Sequence, residues 1–224
     1  VAAVIDVPAK TIAAVVIVGF TLVACLGASA SVRIAALISV VEIGGLVFVI
    51  VLGAPAFADL PGAWRTMIPG TGSGWINVAA GGFVAFFAFI GFEGMANMAE
   101  DTKDTDRTLP RAIIAVIVIT TFLYGLVALV AVLALPISEL AGAAAPLVKI
   151  VEARASSLAG PFTAVAVLAT LNGVLIETVV VARLAYGLAA HGLLPHWIGH
   201  IHPRTGAPVR ATLVAGALIA VVAT

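Results

Sequence analysis

The sequence has little charge, no excess of either sign and a single cysteine, and each shortage excludes a class of protein. Of its 224 residues only 10% are charged, whereas 62% are hydrophobic. Soluble domains carry about 25% charged residues, and a water-soluble core of this length cannot cover so much apolar surface. Eleven basic residues balance eleven acidic ones, so no basic field predicts a nucleic-acid partner. The lone Cys25 excludes an internal disulfide framework and a cysteine-rich metal site.

Long apolar runs are abundant instead, and they predict helices that cross a lipid bilayer. The mean hydropathy is +1.23. At a rise of 1.5 Å per residue, a helix needs about 20 residues to cross the hydrocarbon core. We expect a piece of a longer membrane protein, because the chain lacks an initial methionine and stops inside an apolar run. The apolar runs predict spans at residues 11–28, 33–54, 76–98, 111–135, 157–190 and, incompletely, 211–224.

The segments between these spans predict the orientation of the chain. Segments 99–110 and 191–210 are polar and lie on the side whose loops and flanks hold seven Lys and Arg, against four on the other side. The positive-inside rule therefore places 99–110 and 191–210 in the cytoplasm of a multi-pass protein of the cell membrane. Segment 55–74 is rich in Pro and Gly and predicts a loop. Segment 138–155 predicts an amphipathic stretch along the membrane interface.

Span 76–98 carries an unusual concentration of glycine around an acid. Gly81, Gly82, Gly91 and Gly94 lie near Glu93, and each glycine weakens a helix by about 1 kcal/mol relative to alanine. One interpretation is an interrupted helix whose free carbonyls and amides line a cavity. The other is that the glycines only permit close packing of helices.

Two acids fall at membrane depth, where a charge faces a cavity or a partner. Glu93 is a candidate proton carrier, or an anchor for the interrupted segment, or a residue that reaches the headgroups. Glu42 in span 33–54 is a candidate for a proton or cation role. Structural pairing of Glu42 with Arg33, or with another helix, is the alternative.

Histidines in segment 191–210 raise the question of a metal site. His196 and His200 have the spacing of the HEXXH zinc motif, but Trp197 stands where the motif requires the glutamate base. We therefore expect no metal and no cofactor.

Two segments resemble amino acid permeases of the amino acid–polyamine–organocation (APC) superfamily. FFAFIGFEGMANMAEDTKDTDRTLPRAI, which begins at Phe86, is similar to the sixth helix and following loop of that family. ARLAYGLAAHGLLPHWIGHIHPRTGAPVRATLV, residues 182–214, is similar to the eighth helix, the next loop and the start of the ninth. The resemblance implies an all-α polytopic membrane bundle, part of a fold of two five-helix inverted repeats with a broken helix near 87–93. The six spans then correspond to family helices four to nine.

The resemblance also implies a function and a site. It implies a secondary transporter that moves amino acids or related amines by alternating access, coupled to protons or to exchange, and not an enzyme. In relatives, carbonyls of the unwound sixth helix hold the substrate amino group, which places Phe87, Phe89, Ile90 and Gly91 at the site and Glu93 just beyond it. Glu42 falls where some proton-coupled relatives have a lysine, so the lysine-based mechanism does not transfer to this chain.

Two other functions remain open from the sequence. A non-transporting membrane partner subunit is one, because only about half of a permease is represented. A metal-dependent intramembrane hydrolase that uses His196, His200 and an acid is the other.

Overall fold

The computed structural model describes residues 8–89, 91, 94, 102–203 and 205–223, and the regular structure of this part is helical. Short 3-10 helices cover Ala54–Asp59, Phe87–Phe89, Ser156–Leu158 and His196–Gly199. The α-helices are α1 Ala9–Ala24, α2 Ala28–Gly53, α3 Leu60–Met67, α4 Gly72–Phe86, α5 Thr105–Ala134, α6 Ile137–Ala141, α7 Pro146–Arg154, α8 Ala159–Ala190 and α9 Val209–Ala223.

Four helical segments of the described chain are long and apolar enough to cross a membrane. Two shorter apolar helices, Lys10–Ala24 and Val209–Ala223, accompany them. This composition confirms the predicted all-α membrane helical bundle, while the limits of the six predicted spans stay predictions. The four segments are Ala30–Arg65, Gly72–Phe89, Thr105–Ala134 and Ser156–Ala190.

The chain divides into two compact units, Val1–Glu42 with Val165–Thr224, and Ile43–Ala164. Helices α2 and α8 contribute residues to both units. Each unit has its own buried apolar residues.

In the first unit, α1 packs closely against α9 because small residues face each other. Gly216 of α9 lies directly against the side chain of Thr21 on α1, and both residues are buried. The hydroxyl of Thr21 donates a hydrogen bond to the carbonyl of Ile17, at 2.7 Å. A buried hydroxyl satisfied within its own helix leaves the contact with α9 to van der Waals packing, the usual basis of helix association in lipid.

The segment between α8 and α9 is folded onto the same unit. The N–H of His202 donates to the carbonyl of Ala207, at 2.9 Å, and closes a tight turn. Ile198 is buried against Ala189 and Ala211. This polar connection is therefore anchored by an apolar side chain as well as by backbone hydrogen bonds.

In the second unit, α7 supplies two fully buried side chains to the core. Ile150 and Val151 pack with Val49 of α2, Val130 of α5 and Phe162 of α8. The apolar residues of α7 therefore pack on neighbouring helices, while the position of 138–155 along the membrane interface stays a prediction.

Segment 55–74 was predicted as a loop, and the structure corrects this prediction. A 3-10 helix, Ala54–Asp59, and α3, Leu60–Met67, occupy most of it. Pro55 and Pro61 each lie in the first turn of one of these helices. A proline in a first helical turn loses no hydrogen bond and has a backbone angle suited to the helix. The prolines that indicated a loop are helix starts.

Candidate substrate and coupling sites

The helix of predicted span 76–98 changes geometry in the middle of the span. Helix α4 ends at Phe86 and is followed by a 3-10 turn over Phe87–Phe89. Gly91 then has a φ of +117°, which ends right-handed helical geometry and which side chains other than glycine adopt with strain. The α-helix therefore ends at Phe86, and the predicted break near 87–93 stays a prediction.

Aromatic rings surround this interruption. The ring of Phe87 meets that of Phe83 edge to face, with 5.7 Å between centroids. The ring of Phe89 meets Tyr124 of α5 in the same manner, also at 5.7 Å. Phe87 is 56% exposed, whereas Phe89 is half-buried. Phe89 therefore contacts a second helix, while more than half of the Phe87 side chain is exposed.

The predicted substrate residues divide between the described and the undescribed parts of the chain. Phe87, Phe89 and Gly91 lie together in the interrupted stretch. Ile90 and Glu93 lie outside the described residues. The structure adds the contact between Phe89 and Tyr124, which joins residues 35 positions apart in sequence.

The second candidate site surrounds Glu42 in the first unit. The carboxylate oxygen Oε1 of Glu42 accepts a hydrogen bond from Nδ2 of Asn172 on α8, at 2.9 Å. The same amide nitrogen lies 3.1 Å from the hydroxyl oxygen of Ser39. Ser39 and Glu42 are three residues apart on α2, and residues at this spacing share a helix face. One amide therefore joins two polar side chains of α2 to α8.

Asn172 is almost completely enclosed. It is 2% exposed, and Glu42 is half-buried. The carbonyl oxygen Oδ1 of Asn172 is buried without a hydrogen-bond partner among the described residues. Buried polar atoms normally have partners, and a missing one needs a physical explanation.

The amide contact gives a reason why an acid is tolerated on this helix. A charged side chain at the centre of a membrane helix costs about 2.5–3.5 kcal/mol on insertion scales. A hydrogen bond to an ionised group is stronger than one between neutral groups. Of the two structural pairings expected for Glu42, with Arg33 or with another helix, the described contact is with another helix.

The sequence indicated only part of this cluster. An asparagine within an apolar span is a polar residue of the kind that bridges membrane helices, and Asn172 does bridge α2 and α8. Ser39 was missed, although its position one turn before Glu42 was a usable signal. The pairing itself was not visible, because Asn172 and Glu42 are 130 residues apart.

The histidines do not have the geometry that their spacing suggested. His196 begins a four-residue 3-10 helix, and His200 follows it with extended backbone. The same-face relation of residues four apart belongs to the α-helix, so it does not apply here. Within the described part of the chain, no three His, Cys, Asp or Glu residues lie together as a metal site.

Comparison with known proteins identifies the family. A search of curated proteins gave no match. The family model described as amino acid permease matches residues 4–224, which is nearly the whole chain. This match covers α4 and the 3-10 turn that follows it, the Glu42–Asn172 cluster and the folded segment between α8 and α9. The chain therefore belongs to the amino acid permease family of the APC superfamily.

Proposed function

We propose that this chain forms part of a secondary transporter of the cell membrane that moves amino acids or related amines by alternating access. It acts as a transporter and not as an enzyme, and it is driven by a proton gradient or by exchange. The observation that carries the proposal is the change of helix geometry at 87–91 inside an apolar span. Backbone polar groups that leave a membrane helix are tolerated where they line a cavity.

The substrate contacts proposed here follow from the chemistry of an interrupted helix. The backbone carbonyl groups of Phe87, Phe89, Ile90 and Gly91 are the proposed contacts of a substrate ammonium group. The aromatic rings of Phe87 and Phe89 suit the side chain of the substrate, and the faces of these rings attract a cation. The open position of Phe87 supports a substrate-facing role, and the contact of Phe89 with Tyr124 supports a role in shaping the wall.

Glu42 and Glu93 are the proposed coupling residues. An acid within a membrane span that gains and loses a proton converts a proton gradient into a change of local charge. The hydrogen bond between Glu42 and Asn172 supports this role, because it connects that charge to a second helix. Glu93 is proposed from its sequence position alone, just beyond the interruption.

Uptake by reconstituted protein tests the proposal. Proteoliposomes that contain the full-length gene product would be given a panel of labelled amino acids and amines, with and without an inward proton gradient. Uptake of one substrate class that the gradient increases is the expected result. Exchange that is independent of the gradient would support the transporter function and contradict the coupling to protons. No uptake by folded protein would contradict the proposal and favour the partner-subunit alternative.

A further inference from the structure

The hydrogen bonds of Asn172 use only half of its side-chain amide. Its Nδ2 group, which carries two hydrogens, lies 2.9 Å from Oε1 of Glu42 and 3.1 Å from Oγ of Ser39. Its Oδ1 is buried and has no partner among the described residues. This residue is 2% exposed, so bulk water is not the partner of Oδ1. Oδ1 of Asn172 is therefore an acceptor that a second arrangement of the amide would use.

The arrangement seen here suits one protonation state of Glu42. A deprotonated carboxylate can only accept hydrogen bonds, and Nδ2 of Asn172 supplies one. A protonated carboxyl group carries an O–H and needs an acceptor. The amide oxygen and nitrogen of Asn172 are similar in size, so a half-turn about the Cβ–Cγ bond exchanges them within the same space. The Ser39 hydroxyl both donates and accepts, so it stays bonded to Asn172 in either arrangement.

We propose that Asn172 is a positioning residue whose side-chain amide rotates by half a turn when the protonation state of Glu42 changes. When Glu42 binds a proton from solution, an O–H bond forms on its carboxyl group. The hydrogen bond from Nδ2 is then replaced by one that this O–H donates to Oδ1. Loss of the proton to solution reverses both changes. Because the amide belongs to α8 and the carboxyl group to α2, each proton changes the contact between two helices.

This inference rests on the proposed coupling role of Glu42, and it extends that role to a partner. The charged groups nearest in sequence are Arg33, nine positions before Glu42 on α2, and the exposed Glu177, five positions after Asn172 on α8. The described contact of the Glu42 carboxylate is the amide of Asn172. The other described titratable residues of the unit are Lys10, Cys25, Arg183, Tyr186, His191, His196, His200, His202 and Arg210.

Infrared spectroscopy tests the proposal without transport. The full-length protein in lipid, with asparagine labelled at the side-chain carbonyl carbon, would be titrated between alkaline and acidic pH. The chain has three asparagines, Asn77, Asn97 and Asn172, so the Asn172→Leu variant assigns the signal. We expect the Asn172 carbonyl band to move to lower frequency as Oδ1 gains a donor. The shift should share its midpoint with the carboxyl band of Glu42 and disappear in Glu42→Gln.

The pH dependence of uptake provides the second measurement. Asn172→Leu removes a hydrogen bond from both protonation states of Glu42, and because the bond to the charged form is the stronger one, the uptake midpoint should rise. Asn172→Ser, whose side chain is too short to reach Glu42, should raise the midpoint in the same way. It replaces Asn172→Leu in the measurement if that variant fails to fold. Thr178→Val is the matched control, because this buried hydroxyl of α8 donates only within its own helix, to the carbonyl of Val174 at 2.7 Å. It should leave the midpoint unchanged.

The outcomes separate this proposal from the function on which it rests. If the Asn172 carbonyl band stays fixed while Glu42 is protonated, the amide does not rotate and the proposal is overturned. Asn172 would then only connect α2 and α8 in one fixed arrangement. A midpoint shift in Thr178→Val as large as that in Asn172→Leu would overturn the proposal too. Absence of amino acid uptake would contradict the proposed function, while the infrared titration would still decide the role of Asn172.

Discussion

At the scale of single residues, Glu42 shows how an acid is retained within an apolar helix. The hydrophobic residues around it provide no partner, and the partner comes from Asn172 of a distant helix. The amide nitrogen of Asn172, which also donates to Ser39, replaces part of the hydration that the carboxylate loses. Such intramembrane acids are costly, which is why they are functional candidates by default.

Glu42→Gln should make uptake insensitive to an imposed proton gradient. Glutamine retains the shape and one carbonyl acceptor but cannot bind a proton, so exchange of substrate should persist while gradient-driven accumulation falls. Counterflow and gradient-driven uptake in proteoliposomes distinguish the two. Glu177→Gln is the control, since Glu177 is an exposed acid on α8. Unchanged gradient-driven uptake in Glu42→Gln would transfer the proton role to Glu93 or remove it.

Phe87→Ala should weaken substrate binding. Its ring is 56% exposed beside the helix interruption, so its loss removes apolar contact and ring electrostatics from the proposed site, and KM should rise about 10-fold. Phe122→Ala is the matched control, because Phe122 of α5 is also an exposed ring, at 69%, and is not one of the proposed substrate residues. Equal KM values for wild type and Phe87→Ala would place the substrate elsewhere.

At the scale of helices, close packing depends on glycines, which have no side chain, at the points of contact. Gly53 of α2 lies directly against Val130 of α5 in the second unit. Gly216 of α9 lies against Thr21 of α1 in the first. Small residues at such contacts let backbones approach and increase van der Waals contact, which drives helix association in lipid.

Gly216→Ala should destabilise the α1–α9 contact, although alanine favours a helix. A Cβ atom at position 216 overlaps the side chain of Thr21, and overpacking costs about 1–3 kcal/mol. Unfolding in mixed micelles measures the change in free energy. Gly19→Ala on α1 is the control, since nothing lies within 4 Å of its added Cβ. Thr21→Ala should relieve the cost in the double variant, and equal stabilities for Gly216→Ala and Gly19→Ala would refute the contact.

At the scale of the whole molecule, orientation is a matter of which loops carry basic residues. Seven Lys and Arg against four predict that 99–110 and 191–210 are cytoplasmic. The helices are long enough to allow this. Helix α8 has 32 residues, a length of about 48 Å against a hydrocarbon core of about 30 Å. We expect it to tilt or to project from the membrane.

Thiol labelling tests this orientation. In a Cys25→Ser background, single cysteines at Lys103 and His196 should react with a membrane-impermeant reagent only in inside-out vesicles. Cysteines at Arg65 and Lys149 should react only in right-side-out cells. All four positions are exposed in the structure, which makes them comparable. Labelling of Lys103→Cys and Lys149→Cys from the same side would show that the number of crossings between them is wrong.

Local patterns predicted the helical architecture well where they depend on one segment alone. Apolar runs indicated α2, α5 and α8, because lipid requires every backbone group to be paired within a helix. The glycines of span 76–98 indicated the change of geometry at Phe87. Local patterns failed at 55–74, because a proline has the same signature in a loop and in the first turn of a helix.

The sequence by itself determined the class of protein, since composition and apolar periodicity act through local backbone pairing and through transfer into lipid. It also determined the family, through motifs carried by contiguous residues. Only the tertiary structure decided which side chains meet: Asn172 with Glu42 through a hydrogen bond, and Phe89 with Tyr124 through their rings. Such contacts join residues far apart in the chain, and their partners are chosen by helix packing rather than by neighbouring sequence.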